Sequence, residues 1–353
     1  MTNKFQTPVF FQHKLPLLSE IKSLPSMRTV DDLVLVYDRK LEKLNPFKLW
    51  KEQFSTRYPV NAGEELKSLS EFSEHMNKLS ELTKGCSPRR LGVIAVGGTS
   101  VGDFAGFVAS VLKRGVNLVH IPTTWGAALD SAIVGNTSLN VGSLKNHIGT
   151  FYPANGVYIV SLLLSSAPPK NVASASVEVM KMGLVAGGAL FEKLGRSTLE
   201  GVHLLWDCIP DVVAAKQAVV GEDPFDTNGK RQLLNLGHTF GHVVEDYFNW
   251  SHGVSVGFGI RFMLEWSVQR GFMHETKKSE ILKIAERLWP KEINEKHKAM
   301  PKKELIARLI LDKKSEGEGS IHFIFMRSPG ELMREQVKIL NLVDEAHRQG
   351  WVK

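Results

Sequence analysis

The chain has 353 residues, 43% of them hydrophobic and 23% charged, and a formal net charge of +7. This composition excludes a disordered chain, and the length predicts two or three domains with cores large enough to fold without disulfides. The two cysteines, Cys86 and Cys208, make no disulfide framework and favour a reducing cytoplasm. No apolar run is long enough to span a membrane, and the first residues lack the apolar core of a signal peptide. We therefore expect a cytoplasmic protein with no membrane partner.

The lysines and arginines are scattered along the chain, and no arginine-rich motif is present. A nucleic-acid partner would require a clustered basic face, so we expect none. An anionic small-molecule substrate fits the positive charge as well.

The first half of the chain alternates strand and helix signals. Residues 1–28 have no clear periodicity and predict an irregular arm or an edge strand. Apolar runs predict buried strands, and a glycine turn at 97–103 joins one of them to a helix. This βαβ pattern predicts an α/β domain with a parallel sheet over residues 1–168. The predicted strands are 33–37, 91–96, 117–121 and 157–160, and the predicted helices are 64–82 and 104–113.

From about residue 172 the periodicity becomes helical, and Pro168 and Pro169 mark the boundary. The pattern predicts a mostly α-helical domain over residues 169–353, with a late β-rich piece at 321–325. An active site in the cleft between the domains is the usual expectation. The predicted helices are 172–194, 212–220, 233–248, 256–270, 277–288 and 302–311.

Segment 231–252 carries Arg231, Asn235, His238 and His242 at helical spacing, and then His252. One helix would place the first four on one face, and a loop would return His252 toward His238. Imidazole is the commonest metal ligand in proteins, and a catalytic zinc takes three protein ligands, so the segment indicates a metal site with its third ligand elsewhere. A buried helix with two hydrogen-bonded histidines explains the same spacing, and without an HExxH motif the spacing does not decide.

The glycine turn follows a strand and opens a helix, a position where backbone N–H groups can approach a pyrophosphate. Asp38, at the end of a predicted strand, is placed as the acidic residue that takes ribose hydroxyls in dinucleotide folds. An ordinary strand–helix turn explains the glycines without a nucleotide, and an ordinary turn aspartate explains Asp38 equally well.

Asp130, Lys145 and Asn146 lie in a glycine- and asparagine-rich segment, which predicts a loop that binds a ligand or is simply irregular. Glu178 and Lys181 share one face of an otherwise apolar helix. Once buried they need partners, although an exposed pair three residues apart is the alternative.

Further cations precede and follow the histidine segment. Lysine and arginine side chains in a cleft suit a substrate that carries a carboxylate and a phosphate. These residues are Lys216, Arg231, Lys313 and Lys314, with Asp226 among the first group.

Several runs in this order resemble the 3-dehydroquinate synthase family, the sugar phosphate cyclases, over about residues 60–325. The most specific is LNLGHTFGH at 234–242. The other matching runs are GEELK at 63–67, the glycine turn at 97–103, the RG and PTT segment at 114–124, and EVMK at 178–181.

The resemblance implies a catalytic zinc or cobalt bound by Glu178, His238 and His252. It implies that NAD is held by Asp38, Glu64, Lys67, Gly98, Thr99, Ser100, Asp103, Thr123, Thr124, Asp130 and Lys145. It implies that the substrate is surrounded by Asp130, Lys145, Asn146, Lys181, Lys216, Arg231, Asn235 and His242. Arg114, across the interface of a homodimer, and Lys313 or Lys314 would reach the substrate phosphate.

The resemblance further implies a lyase of aromatic amino acid biosynthesis, in the shikimate pathway. Its substrate would be the phosphorylated sugar acid 3-deoxy-D-arabino-heptulosonate 7-phosphate (DAHP), which it converts to 3-dehydroquinate and phosphate. NAD would accept and return a hydride, so that it ends unchanged. Two alternatives stay open: a related cyclase that acts on another sugar phosphate, and a non-catalytic homologue that binds a nucleotide.

The sequence departs from the family pattern at four positions. Asn136 replaces a lysine that contacts substrate phosphate, which predicts weaker phosphate binding and favours another substrate. Val254 replaces a glutamate beside the metal ligand, which predicts the loss of a supporting carboxylate. Thr99 stands where a third glycine is common, and Trp125 is bulkier than usual. One extra residue between Lys216 and Arg231 leaves the match of Asp226 open.

Overall fold

The computed structural model describes residues 7–142, 144–165, 167–294, 299–311, 315–316 and 319–353, without the side chains of 311, 315 and 316. Lys313 and Lys314, predicted to meet the substrate phosphate, lie outside these residues. The chain divides into two compact units, Met1–Pro168 and Pro169–Lys353, here called the amino-terminal and carboxyl-terminal units.

The described part of the amino-terminal unit contains a six-stranded sheet in the order β1-β8-β5-β4-β2-β3, with every neighbouring pair parallel. The predicted parallel sheet is therefore confirmed, and the predicted arm contributes its edge strand β1. The strands of this unit are β1 (Val9–Gln12), β2 (Asp32–Asp38), β3 (Thr56–Val60), β4 (Leu91–Gly97), β5 (Asn117–Pro122), β6 (Asn136–Val141), β7 (Leu144–Phe151) and β8 (Gly156–Val160).

Helices cover this sheet. All seven residues of β4 are buried, as expected for an inner parallel strand covered on both faces. The helix that follows β4 packs on β4 and β5, which completes the predicted βαβ unit. The helices are α1 (Leu18–Ser23), α2 (Asn45–Lys51), α3 (Leu69–Leu82), α4 (Thr99–Val111), α5 (Ala132–Val134) and α6 (Ser161–Leu164).

Three predictions for this unit need correction. The helix predicted from residue 64 begins at Leu69, because Ser68 caps it by accepting a hydrogen bond from the Glu71 N–H. The helix predicted from residue 104 begins within the glycine turn, at Thr99. The predicted loop after Asp130 is largely a hairpin, since β6 and β7 pair antiparallel and pack on α4.

The carboxyl-terminal unit is mostly helical, as predicted. Its helix α7 packs against α8, α9, α11 and α12, and a β-hairpin packs on α11. The elements are α7 (Pro169–Ala186), α8 (Gly188–Arg196), α9 (Gly201–Glu222), α10 (His238–Phe248), α11 (His252–Gln269), α12 (Glu275–Leu288), α13 (Lys302–Leu311), α14 (Ile339–Arg348), β9 (Ser315–Glu316), β10 (Ser320–Ser328) and β11 (Glu331–Lys338).

Two predicted helices are interrupted by glycine. The helix predicted over 172–194 is two helices separated at Gly187, whose φ is +63°. The helix predicted over 233–248 is a 3-10 helix, Arg231–Asn235, followed by α10, with Gly237 between them at φ +77°. A positive φ ends a right-handed helix, and glycine adopts it without steric cost.

Among the described residues, none of the helices is long and apolar enough to cross a membrane.

Candidate functional site

In the amino-terminal unit, predicted cofactor residues gather at the carboxyl ends of β2, β4 and β5. Asp38 ends β2, and its Oδ1 accepts a hydrogen bond from the Lys40 N–H at 3.0 Å. At the end of β4, the Gly97 carbonyl accepts from the Thr123 N–H at 2.9 Å. A Cβ atom on Gly98 would lie 3.0 Å from Thr124 Cγ2, so only glycine lets these two segments approach without displacement. Ligands of open α/β sheets bind at this edge.

Hydrogen bonds join the glycine turn to two other segments. Ser100 Oγ accepts from the Gly63 N–H at 3.1 Å, which holds the 63–67 segment against the start of α4. Ser131 Oγ lies 3.4 Å from Thr99 Oγ1. Asp130 is exposed on a π-helical turn, Ala127–Ser131, a conformation that is frequent at functional sites.

A polar network of three buried side chains and the exposed Asn146 lies beside this edge. Lys67 Nζ is 2.6 Å from Asp103 Oδ2 and also donates to Asn146 Oδ1. Ser138 Oγ donates to Asn146 Oδ1 at 2.8 Å and to Asp103 Oδ2 at 3.3 Å. Burial raises the pKa of the Asp103 carboxyl, and the Lys67 ammonium opposes that rise. The network orients Asn146, whose φ is +51°.

Two members of this region were not predicted as site residues, Ser138 and Asn140. Asn140 donates to Glu64 Oε2 at 2.9 Å and accepts from the Asn146 N–H at 2.8 Å. Asn140 thus links two predicted site residues that lie far apart in the sequence. The only sequence signal was the asparagine-rich composition of the segment.

Three other predicted phosphate or substrate groups of this unit are exposed. Lys145 lies in β7, Asn136 is the first residue of β6, and Arg114 follows α4 with a φ of +71°. Their exposure leaves the two cationic side chains accessible to an anion.

In the carboxyl-terminal unit, Glu178 on α7 lies between two buried lysines, and its own side chain is 15% exposed. Its Oε2 lies 2.9 Å from Lys181 Nζ and its Oε1 lies 2.6 Å from Lys216 Nζ. The lysine side chains are 2% and 0% exposed, so the alternative of an exposed pair is wrong. Burial alone would raise the pKa of Glu178, but the two ammonium groups outweigh it and lower the pKa, which keeps the carboxylate ionised.

The three histidines of the motif lie together. The ring centroids of His238 and His252 are 5.3 Å apart, those of His238 and His242 are 5.4 Å apart, and those of His242 and His252 are 6.1 Å apart. His252 was predicted in a loop but is the first residue of α11, and this helix packs on α7 and α10.

Arg231 and Asn235 do not share a helix with His238 and His242, because the positive φ of Gly237 separates the two segments. The 3-10 helix that carries them packs instead against α7 and α9. Arg231 donates through Nη1 to the Pro224 carbonyl at 2.9 Å. Asp226 has a φ of +55°, and burial raises its pKa.

Two of the histidines form hydrogen bonds through their Nδ1 atoms. His238 Nδ1 lies 3.1 Å from the Leu236 carbonyl, and His252 Nδ1 lies 2.9 Å from Glu245 Oε2. Burial would lower the pKa of His252, but the carboxylates of Glu245 and Glu178 raise it. Glu245 was not predicted as a site residue. Its signal was its position seven residues after His238, on the same helix face.

The donor set of Glu178, His238 and His252 suits zinc, which favours imidazole and carboxylate ligands and takes three of them in catalytic sites. Glu178 is ionised, and both Nδ1 atoms are hydrogen-bonded, an arrangement typical of metal-binding histidines. Among the described residues, the group whose three ligand atoms lie within 4.8 Å of one another is His242, Glu245 and His252, which shares only His252 with the predicted set. If Glu178, His238 and His252 hold the ion, Glu245 is not a ligand and instead supports His252 through their hydrogen bond.

Comparisons with known proteins agree with this arrangement of motifs. A family model described as 3-dehydroquinate synthase N-terminal matches residues 57–174, and one described as 3-dehydroquinate synthase C-terminal matches residues 175–315. The chain is 32% identical to the 3-dehydroquinate synthase of Leptospira interrogans over 343 residues, which cover 93% of this chain and 91% of the relative. The chain belongs to the 3-dehydroquinate synthase family. A relative from Alkaliphilus oremlandii with the same name is 37% identical over 222 residues, which cover 61% of this chain and 60% of the relative.

Solved structures of two synthases with other names share the fold of this family member. One is 2-deoxy-scyllo-inosose synthase complexed with carbaglucose-6-phosphate, NAD+ and Co2+, with a TM-score of 0.79, 22% identity and 96% of each chain covered. The other is 2-epi-5-epi-valiolone synthase from Streptomyces hygroscopicus subsp. jinggangensis with NAD+ and Zn2+ bound, with a TM-score of 0.79, 20% identity, and 98% of this chain and 96% of that chain covered. This 3-dehydroquinate synthase family member is thus an enzyme, a phosphate-eliminating sugar phosphate cyclase.

Proposed function

We propose that the enzyme is a 3-dehydroquinate synthase that converts DAHP to 3-dehydroquinate and inorganic phosphate. The observation that carries this proposal is the 32% identity to the 3-dehydroquinate synthase of Leptospira interrogans across 93% of this chain. The exposed cationic side chains of Lys145 and Arg114 suit a substrate with a carboxylate as well as a phosphate. The names of the relatives support the same substrate.

We further propose that the enzyme uses NAD and a zinc or cobalt ion. Glu178, His238 and His252 would hold the ion, which would supply a Lewis acid for substrate hydroxyls, and NAD would supply a reversible hydride acceptor. The amino-terminal unit would hold NAD at the carboxyl ends of β2, β4 and β5. The solved cyclases that share the fold contain NAD+ with Co2+ or Zn2+.

We propose the following roles for the other predicted residues. Lys181 and Lys216 keep Glu178 ionised. His242 is exposed and its ring centroid is 5.4 Å from that of His238, a position suited to moving a proton between substrate and solvent. Lys145 and Arg231 would neutralise the anionic groups of the substrate. Arg114 would reach the substrate phosphate across a homodimer interface.

The test is phosphate release by the purified full chain with NAD, zinc or cobalt, and DAHP. We expect stoichiometric phosphate and 3-dehydroquinate, and no turnover by His238→Ala. A matched control is His203→Ala, because His203 is exposed on α9 and outside the predicted site, so this variant should keep the wild-type rate. Absence of phosphate release from DAHP by the metal-loaded wild type would reject the proposal.

One observation favours a second candidate, a cyclase that acts on another sugar phosphate. Asn136 stands at the exposed start of β6 where the family pattern has a lysine, and an amide donates hydrogen bonds without charge. A panel of other sugar phosphates in the same assay separates the candidates. Phosphate from one of these compounds, with none from DAHP, would select the second.

A further inference from the structure

We propose that Glu245 positions the metal ligand His252. It does this by accepting a hydrogen bond from Nδ1, which keeps the imidazole hydrogen on that nitrogen. The inference rests on the proposed function, since it concerns the ion that Glu178, His238 and His252 would share. It begins from the contact of 2.9 Å between Glu245 Oε2 and His252 Nδ1.

The chemistry of that contact determines the tautomer. An ionised carboxylate only accepts hydrogen bonds, so the hydrogen between the two atoms belongs to His252 Nδ1. In the neutral imidazole the lone pair is then on Nε2, which becomes the nitrogen that can bind a cation. His238 has the same arrangement with a different acceptor, because its Nδ1 lies 3.1 Å from the Leu236 carbonyl. Both imidazoles therefore present Nε2.

The elements that carry this pair keep it in place. Glu245 is on α10 and His252 begins α11, and these two helices pack closely against each other. The first turn of α11 is also tied to α7, because the Gly253 N–H donates to Ser174 Oγ at 3.0 Å. Ser174 lies one helical turn before Glu178 on α7, so the position of His252 is tied to that of the carboxylate ligand.

This assignment adds a residue to the expectation drawn from Val254. Replacement of a glutamate at that position predicted a metal site without a supporting carboxylate. Glu245 supplies a carboxylate to the same histidine from α10, and its side chain is 34% exposed. Metal affinity is therefore expected to depend on Glu245.

The competing explanation is that Glu245 binds the ion directly, together with His242 and His252, whose ligand atoms lie within 4.8 Å of its own. The two explanations differ in what glutamine would do at position 245. A glutamine oxygen still accepts the hydrogen bond of Nδ1–H, whereas the neutral amide is a poor zinc ligand.

The experiment measures zinc affinity of metal-free full-length protein by competition with a chelator, and the visible spectrum of the cobalt form. Glu245→Ala and Glu245→Gln are compared with the wild type. Asp246→Ala is the matched control, because it removes one negative charge from the next residue, whose side chain is 70% exposed and pairs with Arg308. Thermal unfolding of the metal-free proteins shows that each variant is folded.

We expect Glu245→Ala to weaken zinc binding by about 10–100-fold, the usual effect of removing a hydrogen-bond partner of a metal-binding histidine. Glu245→Gln should lose less than Glu245→Ala and keep the cobalt spectrum of the wild type. Asp246→Ala should bind zinc like the wild type.

Two results would overturn the inference alone. The first is a wild-type zinc affinity in Glu245→Ala. The second is a loss of zinc affinity in Glu245→Gln as large as that in Glu245→Ala, together with an altered cobalt spectrum. The second result would make Glu245 a ligand. A wild-type protein that binds no zinc, or a His238→Ala variant that still binds it stoichiometrically, would overturn both the inference and the proposed metal centre.

Discussion

At the scale of single residues, His120 is a histidine that the proposed chemistry does not use. It lies on β5 and is 6% exposed. Burial lowers the pKa of His120 from 6.5 to about 4, because the charged imidazolium loses its hydration. The unfolded chain therefore binds a proton between these pH values that the folded chain does not.

We predict that the amino-terminal unit loses stability as the pH falls from 6.5 to 4, and keeps its full stability above 6.5. The contribution of His120 reaches about 3 kcal/mol at the acid end of this window. Urea unfolding of wild type and His120→Gln at pH 7.5 and pH 4.5 measures it, and the variant should lose less stability on acidification. His203→Gln is the exposed control and should behave like the wild type. An equal acid loss in His120→Gln would contradict the prediction.

Asn136 carries a second prediction at this scale. Asn136→Lys adds a charged donor at the exposed start of β6, and a charge-assisted hydrogen bond is worth about 1.5–3 kcal/mol, so the Michaelis constant for a phosphorylated substrate should fall about tenfold or more. Leu144→Lys adds the same charge to β7, where the side chain is 50% exposed, and controls for general attraction. The same Michaelis constant in Asn136→Lys and the wild type would show that this position does not meet the phosphate.

At the scale of elements, the contact between α10 and α11 depends on glycine. A Cβ atom on Gly259 would overlap the carbonyl oxygen of Gly237 and lie 2.8 Å from its carbonyl carbon and 2.9 Å from the Gly241 nitrogen. Backbone atoms cannot rotate away as a side chain can, so any added methyl group must separate the two helices. These helices carry His238, Glu245 and His252.

We predict that Gly259→Ala destabilises the carboxyl-terminal unit by about 1–3 kcal/mol or more, the usual cost of overpacking, and weakens zinc binding as well. Thermal unfolding and zinc competition measure the two effects. Gly85→Ala is the matched control, since a Cβ atom there has nothing within 4 Å. Unfolding of Gly259→Ala at the wild-type temperature would show that the helices can move apart without cost.

The sequence predicted strands and helices well where one local pattern, such as a short apolar run, is enough to identify them. Buried apolar runs predicted the inner strands β2, β4, β5 and β8, because an inner parallel strand excludes polar side chains from both faces. The breaks at Gly187 and Gly237 were missed, because an apolar periodicity of 3.6 continues through a glycine whatever its φ. The missed break at Gly237 misplaced Arg231 and Asn235 on the histidine helix.

At the scale of the whole molecule, the predicted cofactor sites fall in different units. The three predicted metal ligands all lie in Pro169–Lys353, whereas every residue predicted to hold NAD lies in Met1–Pro168. The contacts that orient each set are made within its own unit, as with Lys67 and Asp103 in one and Glu245 and His252 in the other.

We therefore predict that removal of the metal by a chelator abolishes phosphate release and leaves the dissociation constant for NAD within about twofold of that of the loaded enzyme. Titration calorimetry of both forms measures NAD binding. Restoring zinc should restore phosphate release, which controls for damage by the chelator. NAD affinity that disappears with the metal would show that the ion is needed for the nucleotide site.

The sequence by itself determined the fold class and the kinds of groups at the site, because apolar periodicity and ligand chemistry are properties of residues in local order. It could not determine which buried groups meet. Lys67 pairs with Asp103 across 36 positions, and Lys216 reaches Glu178 from another helix. Only the tertiary structure decided these partners, since a buried charge is stabilised by whichever opposite charge the packing of helices and strands brings within contact.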